Sequence, residues 1–155
     1  MDRLDLFRFT PFRLNRLAAE VSAALASEYS ERYGLDIPEW RVLATLGARD
    51  KPCSAQYISH CTRTHKSTIS RAVTALMKRE LIERVTDEND GRAFALRLTA
   101  NGRALYDELV PRLLRKDRDI MSCLTAEQRR QFAAALTTIE KSLDLVQTSE
   151  GAEPY

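Results

Sequence analysis

Residues 65–79 read HKSTISRAVTALMKR. Ile69, Val73 and Leu76 recur at helical spacing and form one apolar face. Lys66, Ser67, Ser70, Arg71, Thr74 and Lys78 fall on the other side. A DNA major groove is about 12 Å wide and admits one helix of this kind. Short hydroxyls reach phosphates or base edges, and an arginine such as Arg71 pairs with guanine O6 and N7. Taken alone, the same pattern also describes an ordinary amphipathic surface helix. The flanking sequence decides between the two.

Upstream, Ser54 caps a short helix over about 55–61, and Thr62-Arg63-Thr64 makes a polar break. Downstream, two antiparallel strands fit Leu81–Val85 and Ala93–Leu98. Between them Thr86–Arg92, TDENDGR, supplies Asn, Asp and Gly for a turn. Short helix, tight turn, second helix and hairpin is the order of a winged helix-turn-helix, in which the first helix braces the second across the DNA backbone. Charge follows the same boundaries. Residues 51–84 carry seven basic and two acidic groups, net +5, against −1 for residues 1–50 and −2 for residues 85–155. A local positive block between mildly negative flanks is the footprint of a polyanion contact. The expected contacts on this helix and its entry are His65, Lys66, Ser67, Thr68, Ser70, Arg71, Thr74 and Lys78.

Helices surround this unit. Thr10-Pro11 opens a long one, with Thr10 as cap, that runs to about Tyr33 and stops at Gly34. Asp36 and Glu39 form a capping box for a helix through Leu46, with Trp40, Leu43 and Ala44 inward and Gly47 at its end. Thr99 caps a helix over about 100–122 that Pro111 should bend. Thr125 and Gln128 box a last helix over about 126–147. The expected fold is mainly α with a small β-hairpin wing. Residues 1–34 make an N-terminal dimerisation helix, 35–98 the winged domain, 99–147 the C-terminal dimerisation helices and 148–155 a tail. The apolar stretches Leu4–Phe12 and Leu136–Val146 lie at opposite ends of the chain, and a central winged domain cannot bury both. They point to a two-fold dimer.

Composition narrows the class. The 155 residues are 44% hydrophobic and 30% charged, an ordinary globular balance. No apolar run approaches the roughly 20 residues of a membrane span, and Arg3 and Arg8 precede no signal-peptide core. Three cysteines without C-x-x-C spacing read as reduced thiols in a cytoplasmic protein. Cys53, His60, Cys61 and His65 do not have zinc-site spacing, so no metal or cofactor is expected. With two histidines and no Gly-rich phosphate loop, catalysis is not expected either.

LDIPEWRVLATLG (35–47), THKSTISRAVTALMKRELIERV (64–85) and DENDGRAFALRLTANGRAL (87–105) resemble the multiple-antibiotic-resistance regulator (MarR) family. The last is the most specific, with an acidic hairpin tip, D-G-R, and a strand ending in L-T-x-x-G. The resemblance implies a homodimer on a palindromic double-stranded operator. It also implies that Arg92 enters a minor groove while Asp90 steadies the hairpin. The enhanced negative potential of a narrow minor groove attracts arginine. Glu80 departs from the family, where a glycine is frequent, so the end of the helix and the wing angle are open.

Many members of the family release DNA when a small aromatic anion binds. LDLFRFTPFRLNR (4–16) sets Phe7, Phe9 and Phe12 among Arg8, Arg13 and Arg16. Phe12, Asn15 and Arg16 share a helical face, and Trp40 starts the next helix. These four are the expected effector residues, for an aromatic carboxylate or an aryl-coenzyme A thioester. The same residues read equally as a dimer seam with an arginine rim. A redox switch at Cys61 is an alternative that requires an exposed thiol with a cationic neighbour. A helical protein-interaction module is a further one.

Overall fold

The computed structural model describes residues 3–86 and 94–145. After a 3-10 turn at Leu6–Arg8 come α1 (Thr10–Tyr33), α2 (Ile37–Gly47), α3 (Ala55–Thr62) and α4 (Lys66–Lys78). The strands β1 (Ile82–Thr86) and β2 (Phe94–Leu98) follow, then α5 (Ala100–Met121) and α6 (Ala126–Ser142). This is the mainly helical, hairpin-bearing order that the sequence predicts.

Side-chain caps set most of the helix starts. Asp36 Oδ1 accepts the Glu39 N–H at 2.8 Å, Ser54 Oγ the Tyr57 N–H at 3.0 Å and Thr99 Oγ1 the Gly102 N–H at 3.0 Å. Thr125 and Gln128 close a full capping box, at 3.1 and 2.9 Å. Each cap satisfies an amide that the helix leaves unpaired. Helix α1 differs from expectation. Phe9 is its N-cap and makes no side-chain cap bond, while Thr10 lies inside the helix and Pro11 follows it. Gly34 ends α1 at φ 62°, with the Leu35 N–H reaching back to the Tyr29 carbonyl. A left-handed residue there suits glycine.

Two other boundaries move. Leu81 does not begin a strand; its N–H returns to the Leu76 carbonyl and closes α4, so β1 starts at Ile82, while Ala93, the expected first residue of the second strand, lies outside the described residues. Helix α6 ends at Ser142, short of the expected 147, because Asp144 turns left-handed (φ 52°) and Leu145 N–H bonds the Glu140 carbonyl. Asp is among the few residues that take this conformation readily.

The core lies within the winged domain. Val42, Leu43 and Leu46 of α2 meet Ile58 of α3, then Ile69, Ala72, Val73 and Leu76 of α4. Leu81, Ile82 and Leu96 close it beneath, with Leu109 and Leu113 of α5. Each such valine, leucine or isoleucine side chain contributes about 1.5–3 kcal/mol on burial. Trp40 is half-buried and stacks on Tyr29, centroids 6.0 Å apart. The hairpin pairs Ile82 with Leu98 through to Thr86 with Phe94. Cys53 adds an isolated bridge to Leu96. No residue of α6 is buried, and Tyr29 is the one buried residue of α1. Helix α6 and most of α1 therefore stand clear of the chain's own core.

Candidate nucleic-acid interface

Helix α4 packs on α3 and α2 through its buried face. Lys66, Ser67, Ser70, Arg71, Thr74 and Lys78 are all exposed, as is His65 at its entry; Thr68 is half-buried. At about 1.5 Å per residue, Lys66 and Lys78 stand roughly 18 Å apart along one helix. The spacing of the apolar residues produces this division, with Ala72 as an additional buried position.

His65 is the N-cap of α4. Its Nδ1 accepts the Ser67 N–H at 3.2 Å and lies 2.8 Å from Ser67 Oγ. The Thr74 hydroxyl donates to the Ser70 carbonyl at 3.0 Å, which leaves its lone pairs to accept from a donor such as a base amino group. The turn before α4 is fixed by Arg63 in left-handed geometry (φ 50°) and by Ser59 Oγ on the Thr64 carbonyl at 2.6 Å.

Three further cations lie on neighbouring elements: α2, the turn before α4 and β1. Arg41 of α2 donates to Thr64 Oγ1 at 3.4 Å, and Arg63 to the Asp144 carbonyl at 3.4 Å, joining the turn to the end of α6. Arg84 of β1 lies over the Phe94 ring, 5.6 Å from its centroid, and that ring is 61% exposed. Sequence reading treats Arg63 only as part of a polar break. The alternation of β1 was the available signal for Arg84. Arg97 is tied to Glu83 across the hairpin at 2.7 Å. Asp90 and Arg92 lie outside the described residues.

The expected effector residues divide. Phe12 is half-buried, while Asn15 and Arg16 are exposed. Phe7 meets Phe12 edge to face at 5.8 Å, and Arg16 lies over the Phe7 ring at 5.4 Å. An open groove of about 400 Å³ follows this face, lined by Phe7, Thr10, Arg13, Leu14, Arg16, Leu17 and Glu20. Trp40 is not among them. It stacks on Tyr29, 17 positions along α1 from Phe12, or roughly 25 Å. One chain brings Phe12 and Arg16 together with Phe7 and leaves Trp40 apart.

Cys61 is half-buried and its thiol faces the Ile58 carbonyl at 3.6 Å. Burial pushes this thiol above the ordinary range, and the Thr45 hydrogen bond and the Arg49 charge only partly oppose it. A sensor thiol needs the opposite shift.

Comparison with known proteins places the arrangement. The MarR family profile matches residues 33–93. The HTH-type transcriptional regulator PecS of Dickeya dadantii (strain 3937) is 30% identical over 132 residues, spanning 84% of this chain and 79% of PecS. The fold is shared with a MarR/EmrR family transcriptional regulator from Acinetobacter sp. ADP1 (TM-score 0.81, 23% identity, 92% of this chain and 100% of that one). It is shared also with PcaV from Streptomyces coelicolor in complex with its natural ligand (TM-score 0.76, 24% identity, 92% and 99%). With PecS matching along most of its length and the winged fold in common, this chain belongs to the MarR family of DNA-binding transcriptional regulators.

Proposed function

We propose that the protein is a homodimeric repressor that reads a palindromic operator with two copies of α4, one in each of two successive major grooves. The observation that carries this is the division of α4. Lys66, Ser70, Arg71, Thr74 and Lys78 are exposed on one side while the opposite side is buried in the core, all within the one strongly basic segment. Arg92, steadied by Asp90, enters the flanking minor groove. The dimer is supported by what one chain leaves uncovered: Phe7 (67% exposed), Leu17 (54%), Leu114 (52%) and Leu143 (65%). An apolar surface of this kind needs a partner, and the dimer sets half-sites about 34–36 Å apart. The experiment selects duplexes from a random pool and measures their binding against salt, with light scattering on the free protein. Palindromic sites bound in a 2:1 ratio support the proposal. A monomer at micromolar concentration, or no preference over random DNA, refutes it.

The proposed effector is a small aromatic carboxylate or aryl-coenzyme A thioester seated at Phe12, Asn15 and Arg16. Its support is the cluster of Phe7, Phe12 and Arg16, where rings and a cation already meet. Trp40 joins that site only from the second copy. Calorimetry with hydroxylated benzoates, cinnamates and their thioesters, repeated on Arg16→Ala, tests it. A ligand that releases DNA yet binds Arg16→Ala as tightly as wild type places the anion elsewhere. The raised Cys61 thiol weighs against the redox alternative.

A further inference from the structure

Arg79 belongs to the basic segment but points away from the face that reads DNA. It is the C-cap of α4, with its N–H on the Ala75 carbonyl at 3.2 Å. Its guanidinium donates through Nη2 to the Tyr33 carbonyl at 2.7 Å and through Nη1 to the Gly34 carbonyl at 3.4 Å. Nη1 is also 4.0 Å from Glu39 Oε2. Tyr33 is the last residue of α1 and Gly34 its cap. The carbonyls there lack intrahelical partners and form the negative end of the helix dipole, which a cation stabilises. Glu39 lies in the first turn of α2. One planar fork therefore ties together the end of α4, the end of α1 and the start of α2.

The tie is directional. A guanidinium holds several acceptors in fixed geometry, which an ammonium does not. Helices α1 and α4 otherwise pack little against each other. The end of α1 is held from other sides as well. Tyr33 Oη donates to Glu108 of α5 at 2.7 Å, and Tyr29 stacks on Trp40 of α2. Arg79 is thus the direct side-chain link from the end of α1 to α4 among the described contacts. Glu39 is 15% exposed in its side chain and Arg79 40%, so the ion pair itself contributes little and the carbonyl bonds set the geometry.

We propose that Arg79 is a positioning residue for operator reading, which locks the end of α4 to the end of α1 and so sets the separation of the two reading helices in the dimer. This rests on the dimeric reading of DNA proposed above. Arg79 touches no DNA and acts through the direction of α4. Its loss loosens the preference for half-site spacing without removing a phosphate contact.

The test uses the full-length protein and a palindromic duplex selected by wild type from a random pool, remade with the half-site spacing changed by one base pair either way. Affinities are measured across a salt series for wild type, Arg79→Gln and Arg79→Lys, with thermal melting to confirm folding. Arg79→Gln is expected to compress the spacing preference several-fold at an unchanged salt slope. Arg79→Lys, which keeps the charge and loses the fork, should fall between it and wild type, and it decides the matter if the glutamine variant melts in the assay range. Wild-type spacing preference in the folded variants overturns the inference. So does a uniform loss of affinity with the salt slope reduced by about one unit, which identifies a phosphate contact. A wild-type protein that selects no duplex overturns the DNA reading itself, and this inference with it.

Discussion

Gly102 lies against the carbonyl oxygen of Leu81, so close that a Cβ at position 102 would overlap that oxygen. Leu81 closes α4, Gly102 stands in the first turn of α5, and Thr99 bonds across the same junction to the Glu80 carbonyl at 2.6 Å. The L-T-x-x-G stretch is therefore a weld between the end of α4 and the long helix α5. The threonine caps and bridges, and the glycine lets the backbones touch. Gly102→Ala should push α5 from the winged domain and cost about 1–3 kcal/mol, the usual range for overpacking. Chemical denaturation measures it. An alanine variant as stable as wild type would show that the junction gives freely.

Glu80 occupies left-handed backbone at φ 57°. The residue is exposed, and its carbonyl, not its side chain, receives the Thr99 hydroxyl. A non-glycine residue costs roughly 1–2 kcal/mol in that conformation, part of which glycine returns as unfolded-state entropy. Glu80→Gly should thus stabilise the protein by about 0.5–1 kcal/mol, seen as a higher Tm. A lower Tm would mean that the glutamate side chain has a role beyond its exposed position.

The carboxyl of Glu39 is held above its ordinary range, first by burial, then by Asp36, with Arg79 pulling it down only in part. Its folded-state value exceeds its unfolded one, so ionised Glu39 costs the native state at neutral pH. That cost fades as pH falls through the raised value and is gone below the ordinary carboxylate value near 4.3. Glu39→Gln keeps an acceptor for Arg79 and should raise Tm at pH 7, with the difference from wild type closing as the solution is acidified. A difference that widened on acidification would reverse the assigned sign.

The three cysteines should react in order of exposure. Cys123 is exposed, Cys61 half-buried with a raised thiol, and Cys53 buried. A thiol reagent under native conditions should label Cys123 first and Cys61 slowly, with operator binding retained after one equivalent. Fast labelling of Cys61 with loss of DNA binding would revive the redox alternative.

The winged domain and the starts of the helices after it were legible because local rules and packing agree there. Ser54, Thr99 and the Thr125–Gln128 pair cap as their types suggest, and Ile69, Val73 and Leu76 are buried as their spacing requires. Beyond the cap of α1, the differences are of two kinds. Leu81 and Asp144 sit where a helix closes by a backbone bond from five residues back, and such closures leave no mark in apolar periodicity. Trp40 was grouped with Phe12 because both are aromatic near a helix start, but the length of α1 separates them and the tertiary stack on Tyr29 claims the indole. Arg79 was counted in the basic block, and only the three-dimensional path of α1 shows where its charge is directed.

The central claim is that α4 reads DNA through its exposed face, and titration of Arg71→Ala and Lys66→Ala against the selected operator and a random duplex tests it most directly. Arg71→Ala should cost about 1–3 kcal/mol on the operator, relaxing preference at one base pair. Lys66→Ala should weaken both duplexes alike and lower the salt slope by about one unit. If both folded variants bind operator and random DNA as wild type does, α4 is not the reading helix.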